Sequence, residues 1–104
     1  MGADRESVGG EGGLKLTYRV HAVERMFDRE ISEDDVRNVL TDGEEIAAYR
    51  YTTPYPGRLV LGWCGTRAIH VVVDENRADD ELIVITTYEP QPDLWEFGFK
   101  RRKQ

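Results

Sequence analysis

Arg58-Leu59-Val60-Leu61-Gly62-Trp63-Cys64-Gly65-Thr66-Arg67-Ala68-Ile69-His70-Val71-Val72-Val73-Asp74 decides the fold of this 104-residue chain. Two runs rich in β-branched and large apolar residues flank Gly65-Thr66, a two-residue hairpin loop with glycine where positive φ is needed. That turn sets the register, pairing residue 64 with 67 and residue 61 with 70. The second run, Ala68 to Val73, is apolar on both faces and predicts a central strand.

Outward from the hairpin, Glu81 to Thr87 contains Leu82-Ile83-Val84-Ile85 and reads as a second central strand. Glu45 to Tyr51 is a further strand, joined to the hairpin by the turn Thr53-Pro54-Tyr55-Pro56-Gly57. Glu75 to Asp80 is a polar loop. Upstream the period lengthens. Val20 to Arg29 reads as a helix with Val20, Val23, Met26 and Phe27 on one side, and Glu30 ends it. Ser32 is placed to cap a second helix, with Asp35 three residues on and acids at 33, 34 and 35 in the first turn. Val36, Val39 and Leu40 form its buried face, and Asp42-Gly43 closes it. Leu14 to Tyr18 alternates as a short strand or the approach to the first helix. The expected fold class is α+β, two N-terminal helices packed on a four-stranded antiparallel sheet. Beyond Pro92, Trp95 and Phe97 are expected to fold back as a lid on the sheet.

Length predicts one small domain over residues 14–98. Residues 1–13 hold five glycines and read as a flexible leader, and residues 99–104 read as a basic tail. The chain is 39% apolar and 33% charged, a globular balance, and no apolar run reaches the ~20 residues that span a bilayer. No secretion signal opens the chain, and a single cysteine, Cys64, rules out an internal disulfide and fits a cytoplasmic location. Net charge is −6, but Lys100-Arg101-Arg102-Lys103 carries four positive charges, leaving the remainder with 10 basic against 20 acidic residues. A body at −10 argues against tight non-specific nucleic-acid binding, which draws on basic surface, and leaves room for a basic strip or a basic protein partner.

His21, Arg25 and Arg29 are four residues apart and share one helical stripe, each step advancing about 40° around the axis. A titrating imidazole beside two guanidinium groups is what acid–base chemistry on a phosphodiester needs. A solvated face in which Arg25 pairs with Asp28 has the same pattern. Thr86-Thr87-Tyr88-Glu89-Pro90 ends the last strand, where the hydroxyls of Thr87 and Tyr88 can reach a ligand at the sheet rim. Ordinary strand propensity and a rim aromatic are the simpler account of them. His70 lies within an apolar strand and reads as a buried imidazole satisfied by a neighbour. A Cys64–His70 dyad is excluded by register, which offsets the two by about 10 Å. Tyr49, Tyr51 and Tyr55 can stack bases or pack across strands. Two histidines and one cysteine at these spacings match no metal site, and no cofactor motif is present.

The pattern His21-Ala22-x-x-Arg25-Met26-x-x-Arg29-x-Ile31-Ser32, followed by Ile85-Thr86-Thr87-Tyr88-Glu89-Pro90, resembles domain-of-unknown-function family 4258. That family is grouped with the RelE/ParE-like toxins and the barnase–EndoU–colicin–RelE ribonuclease fold, and the likeness covers about residues 16–96. It implies a RelE-like α+β fold and a metal-independent endoribonuclease, with RNA and an antitoxin or another protein as partners and no membrane. Carried over by position, the site residues are His21, Arg25, Arg29, Thr87 and Tyr88, while capping explains Ser32. The acidic body and the Gly-rich leader depart from the toxin pattern. The alternative is a non-catalytic interaction domain that binds a protein partner or self-associates.

Overall fold

The computed structural model describes residues 15–50 and 54–104. The leader expected over 1–13, Leu14, and the 51–53 part of the turn lie outside the described residues. The elements are β1 (Lys15–Tyr18), α1 (Val20–Arg29), α2 (Glu33–Asp42), β2 (Glu44–Tyr49), β3 (Gly57–Cys64), β4 (Arg67–Asn76) and β5 (Glu81–Tyr88). A short 3-10 turn, Arg77–Asp79, joins β4 to β5.

The sheet has five strands in the order β1-β5-β4-β3-β2, and it is mixed. This corrects the four-stranded antiparallel sheet expected from the sequence. Four residues, Lys15 to Tyr18, add a strand parallel to β5, with Leu16 opposite Leu82 and Tyr18 opposite Val84. From that edge the chain crosses one face of the sheet as α1 and α2 and returns at the opposite edge as β2. A parallel neighbour requires such a crossover and no local turn, so the alternation of Leu14 to Tyr18 allows a strand without announcing its partner. The β3–β4 hairpin has the expected register, with Cys64 opposite Arg67 and Leu61 opposite His70. Gly65 supplies the positive φ at +67°.

The core lies between the helices and the sheet. Ala22, Ile31, Val36 and Val39 meet Val60, Ile69, Val71, Val73, Leu82 and Val84, all buried. Alternation puts residues 69, 71 and 73 of β4 on this face and His70 and Val72 on the other. At Gly62 α2 lies close on the sheet: a Cβ there would stand 2.8 Å from Val39 Cγ2 and 2.9 Å from Val39 Cα. The β4–β5 ladder slips once. Val72 opposes Thr86 and Val73 opposes Val84, so Ile85 is an extra residue, a β-bulge. That single insertion reverses the alternation at the end of β5, turning Thr87 to the helix face and Tyr88 to the far face.

The C-terminal segment closes one end of the far face. Trp95 is buried there, but Phe97 points fully into solvent. Phe99 takes the place expected for Phe97, its ring 6.0 Å from Trp63. Trp95 pairs with Arg102 in an isolated antiparallel bridge, and Lys103 N–H donates to Leu94 O at 2.9 Å. Lys100 Nζ reaches Glu44 Oε1 at 3.0 Å, and the Arg102 guanidinium sits 5.7 Å from the Trp95 ring centre. The basic run is therefore largely engaged by its own fold.

Candidate functional site

α1 starts at Arg19, whose side chain makes no capping hydrogen bond, and ends at Glu30 in the left-handed region at φ 55°. A left-handed non-glycine residue costs about 1–2 kcal/mol. Arg67, the first residue of β4, offsets that cost. Its guanidinium donates to Arg29 O and, at 2.9 Å, to Glu30 O, while its Nε donates to Glu89 Oε2 at 2.6 Å. Spacing gave no reason to single out Arg67; the one signal is its place immediately after the hairpin turn, facing the helices. Ser32 then caps α2 as expected. Asp35 N–H donates to Ser32 Oγ and Ser32 N–H to Asp35 Oδ2, both at 3.0 Å. The backbone bond from Ser32 holds the Asp35 carboxyl below its ordinary range.

On α1, His21 and Arg29 are exposed and Arg25 is half-buried. Among the described residues, none of the three makes an ion pair or a side-chain hydrogen bond. The Arg25–Asp28 pair that the spacing allows is not formed, so among the described residues the stripe is two unpaired guanidinium groups beside an imidazole. Thr87 lies on the same side of the sheet but is wholly buried, and its hydroxyl donates to His70 O at 2.8 Å. Tyr88 is on the far face, with its hydroxyl 3.3 Å from His70 Nδ1. Of the five candidate residues the fold therefore gathers three on an open helix surface. The fourth is enclosed with its hydroxyl used, and the fifth faces the other way.

His70 is satisfied, as its strand position implied. Its Nε2 lies 2.9 Å from Phe99 O, so Nε2 carries the proton and donates to that carbonyl. Nδ1 is then the acceptor for the Tyr88 hydroxyl. The ring packs edge-on against Trp95 at 4.5 Å, and burial pushes its pKa down against the pull of the Phe99 carbonyl. His70 thus holds Phe99, itself in the left-handed region at φ 64°, and with it the C-terminal segment. Cys64 is on the helix face, away from His70, and burial pushes its thiol up. Among the described residues the buried Tyr18 hydroxyl has no hydrogen-bond partner, and burial followed by the nearby Glu33 carboxylate pushes its pKa up to about 12. Among the described residues no three His, Cys, Asp or Glu side chains gather where they could hold a metal ion.

The apolar side of α1 is where the structure departs furthest from the sequence pattern. Val20, Val23, Met26 and Phe27 were expected to be its buried face. Ala22 is the residue that is fully buried, Met26 is half-buried, and Val20, Val23 and Phe27 are 74%, 52% and 86% exposed. The helix is turned so that small Ala22 approaches β5, which leaves the other three as a ridge in solvent. Beside the ridge an open groove of about 500 Å³ is lined by Val23, Met26, Phe27, Glu30, Ile31 and Ser32. Sequence reasoning missed this surface because the same apolar spacing serves a core or an outside partner. Its one signal is an apolar arc wider than a single sheet covers.

A family model described as domain of unknown function (DUF4258) matches residues 18–89, from the end of β1 to just past β5. No curated protein matches the chain. No solved structure matches it. Among the described residues no helix is long and apolar enough to cross a membrane.

Proposed function

The chain belongs to the DUF4258 family, and on that premise we propose that it is a non-catalytic interaction domain holding a protein partner on α1. The observation that carries this reading is the ridge of Val20, Val23 and Phe27 beside its groove. Single exposed apolar residues are ordinary, but three on one helix face beside an apolar depression mark a binding surface. Covering one such side chain contributes roughly 1.5–3 kcal/mol, enough for three to dominate an interface. A light-activated crosslinker at position 24 of the full chain, expressed in its own host, tests it. The expected result is one discrete adduct whose partner binds the purified chain and is lost on Phe27→Ser. Adducts that persist with Phe27→Ser would remove α1 as the binding surface.

The second reading is a RelE-like, metal-independent endoribonuclease, supported by the unpaired guanidinium groups of Arg25 and Arg29 beside His21 and by two helices preceding the sheet hairpins. His21 would exchange a proton with the ribose 2′-hydroxyl or the leaving oxygen, and Arg25 and Arg29 would hold the scissile phosphate. Thr87 and Tyr88 take no part in this chemistry in the present arrangement. An antitoxin partner and a cytoplasmic location belong with this reading. RNA cleavage in the presence of chelator, lost on His21→Ala without a lower melting temperature, would support it. Equal cleavage by wild type and His21→Ala would remove His21 from the mechanism.

A further inference from the structure

Resting on the interaction reading, we infer that the α1 ridge takes an amphipathic helix of another protein whose apolar face is flanked by lysine and arginine. Two observations identify that occupant. Val20, Val23 and Phe27 are spaced three and then four residues apart, the spacing of a helix–helix seam, and they span about two turns. The groove beside them, about 500 Å³ between the ridge and the start of α2, continues the seam through Met26 and Ile31. A second helix laid along it seats its own i, i+3 and i+7 side chains there.

The rim supplies the charge. Going around α1 from the ridge, Glu24 and Asp28 come first on one side, ahead of His21, Arg25 and Arg29. On the other side lies Glu30, which lines the groove itself. Among the described residues none of these three carboxylates is in an ion pair. An apolar seam with free acids on both borders is complementary to a helix with basic flanks. A second copy of this chain fits badly. Two α1 helices laid antiparallel about a two-fold axis bring Glu24 and Asp28 of one against the same acids of the other. An anionic membrane surface meets the same rim with like charge.

The test uses the full chain and two synthetic helical peptides with an identical leucine face. One peptide carries Lys/Arg flanks and the other Glu flanks, and binding is read by fluorescence anisotropy. The Lys/Arg peptide is expected to bind at least tenfold tighter, more so at low salt. Phe27→Asp should weaken it more than tenfold, whereas Phe97→Asp, at the other exposed phenylalanine, should not. Glu24→Lys with Asp28→Lys should reverse the preference. Melting curves of each variant check folding, which exposed positions should leave unchanged.

Equal, Phe27-dependent binding of both peptides overturns the charged-helix partner and leaves the interaction reading standing. No Phe27-dependent binding of either peptide overturns the helical partner, and the crosslinking result then decides whether α1 binds any protein. A Phe27-dependent dimer in sedimentation, or Phe27-dependent capture by phosphatidylglycerol vesicles, replaces the occupant and overturns the inference.

Discussion

α1 and α2 have ten residues each and lie on the same face of the same sheet, yet they are built differently. α2 has a capping box, three acids in its first turn, and Val36 and Val39 buried against β3 and β4. α1 has no side-chain cap, its end is held in place by Arg67 from outside, and it buries only Ala22 completely. Its strongest apolar side chain, Phe27, points into water. Local signals that stabilise a helix are concentrated in α2, and side chains that fold formation does not use are concentrated in α1. The difference separates a helix selected for the fold from one free to serve something beyond it.

Four measurements can break or sharpen that contrast. The largest effect belongs to the core of α2: Val39→Ala is expected to lower unfolding free energy by about 2–3 kcal/mol in urea titration. A loss below about 0.5 kcal/mol would mean that α2 does not anchor the sheet. Next, Ser32→Ala should cost about 1 kcal/mol, the loss of a good N-cap, whereas Arg19→Ala at the start of α1 should cost far less. Equal losses would erase the difference in capping.

The third measurement is acid stability. Asp35 is held below its ordinary pKa by the Ser32 backbone. The stability it lends is present above the unfolded carboxyl value of 3.8 and is lost as pH falls through the lower folded value. Asp35→Asn should therefore unfold with a flatter acid limb below about pH 4 than the wild type. An unchanged limb would show that the capping box does not persist in solution. The smallest effect is the most telling for α1. Phe27→Ser should alter unfolding free energy by less than about 0.5 kcal/mol. A loss comparable to that of Val39→Ala would show Phe27 packed inside the fold and remove the ridge.

Much of this architecture was legible in local chemistry. Ser32 and Asp35 marked a capping box, and Gly65-Thr66 set a register that placed Cys64 and His70 apart. His70 could be read as a satisfied imidazole because an apolar strand leaves no water to hydrate it. What was not legible depended on contacts distant in sequence. The parallel pairing of Lys15 to Tyr18 is supported by residues 81–84, with no turn to advertise it. The rotation of α1 follows from the close approach of Ala22, and periodicity shows which residues are apolar, not which part of a broad arc the sheet will cover. Thr87 and Tyr88, successive residues of one strand, face opposite sides whatever the bulge, and the bulge at Ile85, which left no trace in a run of continuous apolar residues, decides which of the two faces the helices.

That bulge also determines which kinds of mutation can remodel the molecule. Substitutions at 87 or 88 change a side chain but leave its address. Deleting Ile85 would close the bulge and leave both addresses as they are, whereas one residue inserted between Thr86 and Thr87 and paired in the ladder would exchange them, setting the threonine opposite His70 among the aromatics and the tyrosine opposite Ile69 beneath α1. The evolutionary distance between a helix surface with and without a tyrosine hydroxyl below it is one codon gained, not several changed. Length variation in β5, more than residue variation, is where relatives with a different chemistry on α1 would diverge from this chain.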